Sequence, residues 1–68
     1  MITYDRLWKT MEQKCVTTYF LREKAGIDSK TVRRLKANEN IETKTLDKLC
    51  DVLNCRLEDI AEFVRSDT

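Results

Sequence analysis

The sequence of 68 residues contains no histidine, no proline and one glycine, Gly26. Histidine is the commonest general base and transition-metal ligand, and a single glycine cannot form a phosphate-binding loop or a dinucleotide-binding fingerprint. We therefore expect no enzymatic activity, no cofactor and no bound metal. Hairpins also depend on turn residues such as glycine and proline, so their scarcity argues against a β-meander or a barrel. An all-α fold is the remaining expectation.

Cysteine is scarce as well, because Cys15, Cys50 and Cys55 are odd in number and form no CxxC pair. This pattern fits neither a disulfide framework nor a zinc ribbon, and it favours a reducing cytoplasm. Cys50 is expected to be a small buried hydrophobe, and the other two cysteines to be partly exposed near helix ends. The residues alone give no support to redox sensing. The absence of long apolar runs and of a leader-like start predicts a cytoplasmic protein without membrane insertion.

The charge is distributed unevenly, although the net charge is only +1. Residues 22–36 carry six basic and two acidic side chains, whereas residues 51–68 carry five acidic and two basic ones. A basic segment is often no more than a solvated helix face, so charge alone does not indicate nucleic-acid binding. With 41% apolar and 37% charged residues, the composition indicates one small soluble domain over residues 1–68.

Apolar spacing predicts five helices. The first runs over about residues 4–14 with Thr3 as its cap, and the second over about 18–25, with Thr17 as its cap and left-handed Gly26 at its end.

The third helix is short, mostly exposed and capped by Ser29, and the fourth runs from a cap at Thr43 to Asn54. Apolar residues between Leu57 and Val64 predict a fifth helix. We expect a core made of the large apolar residues on these helices: Leu7, Trp8, Met11, Leu21, Ile27, Val32, Leu35, Leu46, Leu49, Leu53 and Ile60.

Helices two and three, joined by a tight turn, have the layout of a helix-turn-helix motif. Counted from Thr18, small or apolar residues occupy the fourth, eighth, ninth, tenth, fifteenth and eighteenth positions, where such helices pack: Leu21, Ala25, Gly26, Ile27, Val32 and Leu35. All six positions thus carry the small or apolar residue that the packing of the motif requires.

On these residues the chain resembles the Cro and phage-repressor-like, or Xre-type, helix-turn-helix regulators. Further similar stretches are Tyr4-Asp5-Arg6-Leu7-Trp8, Thr18-Tyr19-Phe20-Leu21, Lys24-Ala25-Gly26-Ile27, Thr31-Val32-Arg33-Arg34-Leu35 and residues 43–55. The resemblance implies a five-helix lambda-repressor-like domain with its motif at about residues 18–37. It also implies sequence-specific binding of double-stranded DNA in transcription control, commonly as a two-fold dimer.

Two positions depart from the family pattern. Arg22 stands where the family usually has alanine, at the crossing of helices two and three, and an arginine can lay its aliphatic stem along that crossing while its charge stays in water. Thr18 replaces the common glutamine at the start of helix two and still has a hydroxyl that can donate to a phosphate.

In this motif the third helix enters the major groove. Arg33 and Arg34 are the candidates for forked contacts with guanine, and Lys30 and Lys36 for phosphate contacts. The residues expected to meet DNA are Thr18, Ser29, Lys30, Thr31, Arg33, Arg34, Lys36, Asn38 and Asn40. For the last two, an ordinary role in the turn is the simpler explanation.

Two functions remain open. The first is a DNA-binding repressor that acts as a homodimer, with Phe63 and Val64 of the fifth helix as the favoured contact surface. The second is a protein interaction module, such as an antitoxin-like or adaptor protein, that uses the same fold without DNA. Steep loss of affinity with salt would indicate the first.

Overall fold

Four α-helices form within residues 1–65, where the apolar spacing predicts them. The structure is a computed structural model, and it describes residues 1–65. In chain order the elements are strand β1 (Ile2–Thr3), helices α1 (Asp5–Gln13), α2 (Thr18–Lys24), α3 (Ser29–Lys36) and α4 (Thr43–Leu53), a 3-10 turn (Leu57–Asp59) and strand β2 (Glu62–Phe63). Within residues 1–65, none of the helices has the length and apolarity needed to span a membrane.

The predicted fifth helix is wrong, and the described chain is therefore not strictly all-α. Leu57–Asp59 form a 3-10 turn, and Glu62–Phe63 form a strand that pairs antiparallel with Ile2–Thr3. Ile2 lies opposite Phe63 and Thr3 lies opposite Glu62. The two ends of the described chain are thus joined by a small sheet.

The 3-10 turn stops short of a helix because α1 occupies the carbonyl groups that a helix would use. In a continuous helix, the carbonyls of residues 58–60 would accept from N–H groups four residues later. They accept instead from α1, through three pairs: Arg6 Nη1 to Glu58 at 3.0 Å, Thr10 Oγ1 to Asp59 at 2.7 Å, and the N–H of Leu7 to Ile60 at 3.1 Å. The N–H of Val64 donates to the carbonyl of Met1 at 2.7 Å. Tertiary contacts therefore override the local apolar pattern.

One of the four predicted side-chain caps is confirmed. Thr17 Oγ1 accepts a hydrogen bond of 3.2 Å from the N–H of Phe20 and begins α2. The expectation for Ser29 is wrong, because Asp28 Oδ1 accepts from the N–H of Thr31 at 2.8 Å and takes the capping position. The carboxylate of Asp28 is the stronger acceptor and lies one residue earlier.

The other two cap predictions are also wrong. Tyr4 and Glu42, rather than Thr3 and Thr43, precede α1 and α4, and neither makes a side-chain cap hydrogen bond.

Each α-helix is followed by a residue in the left-handed region. These residues are Cys15, Gly26, Asn38 and Asn54, with φ of 56°, 69°, 56° and 50°. Left-handed residues at helix ends let later N–H groups reach the last carbonyls, which would otherwise lack partners. The predicted roles of Gly26 and Asn54 as helix-ending residues are confirmed.

The core is close to the predicted set. Its buried apolar residues are Tyr4, Leu7, Met11, Leu21, Ile27, Val32, Leu35, Leu49, Leu53 and Ile60. Trp8 and Leu46 were expected to be in the core, but they are half-buried and pack against its outside. Tyr4 takes a place inside, with 4% of its surface exposed, because it lies between β1 and α1 at the point where the two chain ends meet.

Candidate nucleic-acid interface

The α2–turn–α3 unit packs through the residues that the motif requires. Leu21, Ile27, Val32 and Leu35 are buried, and Ala25 is half-buried against the core. Gly26 provides the positive φ in the turn between the helices. Because the apolar side chains of α3 are fixed inward, its charged positions are fixed outward.

The outward side of α3 carries the predicted contact residues. Ser29, Lys30, Arg33, Arg34 and Lys36 are exposed, while Thr31 is half-buried. On a helix, residues three or four apart are neighbours. Arg33 and Lys36 therefore form one stripe on the surface of α3, and Lys30 and Arg34 form an adjoining stripe. One short helix therefore presents four positive charges from two directions.

The first stripe lines an open depression between α2 and α3. It has a volume of about 350 Å³, and the lining residues are Thr18, Arg22, Ser29, Val32, Arg33 and Lys36. The structure thus brings together four of the predicted contact residues. It adds Arg22, which is exposed and supplies a third positive charge to this depression.

From the sequence, Arg22 is only a departure from the family pattern at the helix crossing, and it is not among the predicted DNA contacts. The available signal was its spacing, since a basic residue four positions after Thr18 lies on the same face of α2 as a predicted phosphate contact. Its charge faces solvent, as the packing argument predicts for an arginine whose aliphatic stem lies along the crossing.

The second stripe lies near Asp28. The side-chain and backbone hydrogen bonds of Thr31 hold the pKa of Asp28 below its ordinary value, and the positive charges of Arg34 and Lys30 lower it further. Asp28 is therefore ionised at neutral pH. It caps α3 and remains close to two of the basic side chains without a salt bridge to either of them within the described chain.

The basic side chains of α2 and α3 form no salt bridge with any other residue of the described part of the chain. Two salt bridges occur among residues 1–65, Arg6 with Glu62 at 2.9 Å and Arg56 with Glu58 at 3.9 Å. Both involve the acidic segment near the 3-10 turn and β2. The positive charge of α3 is consequently available to an external anion.

Asn38 and Asn40 lie apart from this depression. Both line a different one, together with Tyr4 and Ile41. Asn38 is half-buried, and its Oδ1 accepts a hydrogen bond of 2.9 Å from the N–H of Tyr4. The structure thus gives Asn38 a role within the fold, whereas Asn40 is exposed.

The described residues offer little for other chemistry. Among residues 1–65, no three histidine, cysteine, aspartate or glutamate side chains are grouped so that they could hold a metal ion. The candidate site is therefore a positively charged helix, α3, supported by α2 and a tight turn.

Residues 6–66 match the profile of the family described as the Cro/C1-type HTH DNA-binding domain. The chain belongs to this family. Among solved structures it is similar to the "Crystal structure of transcriptional regulator VanUg, Form II", with a TM-score of 0.87 and 32% sequence identity over 96% of this chain and 87% of that one. Among curated proteins, no relative matches the chain. The part of the chain that matches this Cro/C1-type HTH domain includes both α2 and α3.

Proposed function

We propose that this protein is a sequence-specific transcriptional regulator that binds double-stranded DNA with α3 in the major groove and represses transcription by occupying its operator. The observation that carries the proposal is the positive charge of α3, which forms no salt bridge within residues 1–65, in a Cro/C1-type domain. The likeness to a transcriptional regulator over nearly the whole chain also supports it.

The proposed contacts divide into base reading and anchoring. Arg33 and Arg34 are exposed on α3 and each can donate two parallel hydrogen bonds to guanine O6 and N7, which contributes about 1–3 kcal/mol of discrimination per contact. Lys30 and Lys36 bind phosphates as point charges, and Arg22 joins them from α2.

The remaining proposed contacts are polar. Thr18 at the start of α2 and Ser29 and Thr31 at the start of α3 donate to phosphate or base edges. Of the two asparagines after α3, the exposed Asn40 is the one proposed to contact the sugar-phosphate backbone, because Asn38 already accepts a hydrogen bond within the fold.

Selection of bound duplexes from a random DNA pool tests the proposal. The wild-type chain should recover a defined sequence, whereas the double variant Arg33→Ala/Arg34→Ala should lose it. The matched control is Lys9→Ala/Arg56→Ala, which removes the same charge beside Glu58, outside the helix-turn-helix. Recovery of the same sequence by the α3 variant, or its loss in the control, would contradict the assignment of α3.

Salt dependence separates DNA binding from a protein-only function. Each phosphate contact releases condensed counterions, so the logarithm of the affinity should fall with the logarithm of salt concentration by about 0.9 per neutralised phosphate. A protein interaction module would show no binding to duplex DNA and no such slope. That result would favour an antitoxin-like or adaptor function on the same fold.

We further propose a homodimer on DNA, formed through the apolar surface around the two-stranded sheet. Five large apolar side chains are exposed there: Met1, Ile2, Leu57, Phe63 and Val64. Met1, Ile2, Leu57 and Phe63 line an open depression of about 430 Å³, of which Leu46 and Ala61 form part of the wall. A second copy covering this surface would bury apolar area and place two α3 helices on one duplex.

Two α3 helices related by a two-fold axis would read half-sites about 34 Å apart. Sedimentation of the complex with the selected duplex tests this arrangement. Two chains per duplex and an inverted repeat are expected for the wild-type chain, and Phe63→Glu should reduce the complex to one chain. A single chain per duplex without an inverted repeat would contradict the dimer and leave DNA binding intact.

A further inference from the structure

Cys50 and Cys55 lie on either side of the left-handed turn that ends α4. The φ of 50° at Asn54 turns the chain back, so that the N–H of Cys55 donates a hydrogen bond of 3.0 Å to the carbonyl of Cys50. In this helix-ending motif the side chains at these two positions regularly contact each other. The turn therefore places two thiols side by side.

Cys50 and Cys55 are neighbours across the turn, and both are only half-buried. Both side chains pack against the outside of the core, and the charge of an ionised Cys50 raises the pKa of Cys55. Cys50 also lines an open depression of about 260 Å³, together with Leu46 and Leu57. A small molecule from solvent can thus reach the thiol of Cys50, and Cys55 lies across the turn from it.

A disulfide suits this arrangement better than a metal site. Disulfides require Cα atoms about 4.4–6.8 Å apart, a separation that residues joined by a backbone hydrogen bond across a tight turn can satisfy. The described residues bring no third histidine, cysteine, aspartate or glutamate to Cys50 and Cys55 as a metal ligand. Cys50 and Cys55 therefore supply both sulfur atoms that an intramolecular disulfide needs.

We propose that Cys50 and Cys55 form a redox-active dithiol that low-molecular-weight disulfides convert to an intramolecular disulfide. One protein thiolate attacks a sulfur of the small disulfide and releases the first small thiolate. The second protein thiolate then attacks the protein sulfur of the mixed disulfide and releases the other. The protein loses two protons and two electrons, and the small disulfide is reduced to two thiols.

Burial raises the pKa of both thiols, and this slows the first attack at neutral pH. Asp59 raises the pKa of both, Asp47 raises that of Cys50, and Lys14 lowers that of Cys55. The reaction is therefore best followed at mildly alkaline pH, where more of each thiol is ionised.

Intact-mass measurement after treatment with glutathione disulfide and alkylation of the remaining thiols tests the proposal. In a Cys15→Ser background, the chain should lose two hydrogens, carry no glutathione and resist alkylation. Adding Cys50→Ser or Cys55→Ser should leave glutathione attached to the remaining thiol. A stable glutathione adduct on the chain that retains both cysteines, or covalent dimers, would overturn the proposal.

The exposed Cys15 of the unsubstituted chain serves as the internal control for the reagent. If Cys15 is fully modified while Cys50 and Cys55 remain free thiols, the pair is not redox-active under these conditions and the proposal fails.

A comparison of folded and urea-unfolded chains tests the geometry without a variant. Since the native turn holds the thiols together, the equilibrium with glutathione should favour the disulfide more strongly in buffer than in urea. A weaker preference in buffer would mean that the fold resists the bond, which would overturn the proposal. None of these measurements involves DNA, so their outcome is independent of the proposed regulatory function.

Discussion

The N–H of Tyr4 donates a hydrogen bond of 2.9 Å to Oδ1 of Asn38 and joins the residue before α1 to the second residue after α3. Tyr4 is 4% exposed, and Asn38 has a φ of 56°. Asn38 therefore meets two requirements at once, since it tolerates the left-handed region and carries an acceptor for a backbone group at the edge of the core.

Substitutions at Asn38 separate these two requirements. Asn38→Asp keeps the acceptor, Asn38→Gly keeps only the backbone conformation, and Asn38→Ala loses both. We expect Asn38→Ala to lower the free energy of unfolding by about 1–3 kcal/mol, because the N–H of Tyr4 loses its partner and the φ is strained. Asn38→Gly should lose less, and Asn38→Asp least, in urea denaturation. Equal losses for all three variants would contradict this account.

The left-handed residues at Cys15 and Gly26 predict opposite effects of substitution. Gly26→Ala should destabilise the protein by about 1 kcal/mol, and Cys15→Gly should have a neutral or stabilising effect. Apart from its two chain neighbours, no described residue has an atom within 4 Å of a Cβ added at Gly26, so the effect comes from the φ of 69°. Thermal denaturation of both variants, with Cys15→Ala as the control for loss of the thiol, measures the difference. A stabilising Gly26→Ala would contradict the argument.

Thr3 carries a buried hydroxyl for which the described chain offers no hydrogen-bond partner. Leaving such a group unsatisfied costs about 1–3 kcal/mol. Thr3→Val replaces the hydroxyl by a methyl group of similar shape and should raise the unfolding midpoint in urea without changing its slope. Thr3→Ser, which keeps the hydroxyl and removes the methyl group, is the control and should lower the midpoint. A destabilising Thr3→Val would show that the hydroxyl has a partner.

How much of the fold the sequence predicts depends on whether the deciding interactions are local. Thr17, Gly26 and Asn54 act through residues next to them, and their roles could be predicted. The region after Leu57 is determined by distant contacts instead. Its carbonyls accept hydrogen bonds from Arg6, Leu7 and Thr10, which lie about fifty residues earlier in the chain. No local pattern records such a contact, so the apolar spacing predicted a helix there.

The candidate site shows the same division. The inward positions of Val32 and Leu35 follow from helical period, and they determine the outward position of Arg33. The place of Arg22 beside Arg33 depends on how α2 crosses α3, which is a tertiary property. Likewise, the choice of Asp28 over Ser29 as the cap shifts the helix start by one residue, which is within the usual precision of such predictions.

Asp28 should make stability depend on pH in the acid range. Hydrogen bonds from Thr31 lower its pKa in the folded protein below the ordinary value of 3.8. Its contribution to stability is therefore complete above that value and is lost as pH falls through the lower folded pKa. Asn also caps helices but does not titrate, so Asp28→Asn is the matched variant.

The measurement is the free energy of unfolding of both chains from about pH 5 to about pH 2. The wild-type chain should lose its advantage over Asp28→Asn at the acid end of this range. A difference that stays constant with pH would show that the carboxylate is not stabilised by its position at the start of α3.

Arg22 gives the sharpest separation between folding and binding. Its side chain is exposed in the depression between α2 and α3, so Arg22→Ala should change stability by less than about 0.5 kcal/mol, with a small gain from the better helix propensity of alanine. The same variant should weaken DNA binding and reduce the salt slope by about 1, because one phosphate contact is lost. Arg22→Lys keeps the charge and should retain the slope. A loss of stability above about 2 kcal/mol would reveal that Arg22 makes a buried or paired contact. An unchanged salt slope would remove Arg22 from the proposed interface and leave the roles of Arg33 and Arg34 in place.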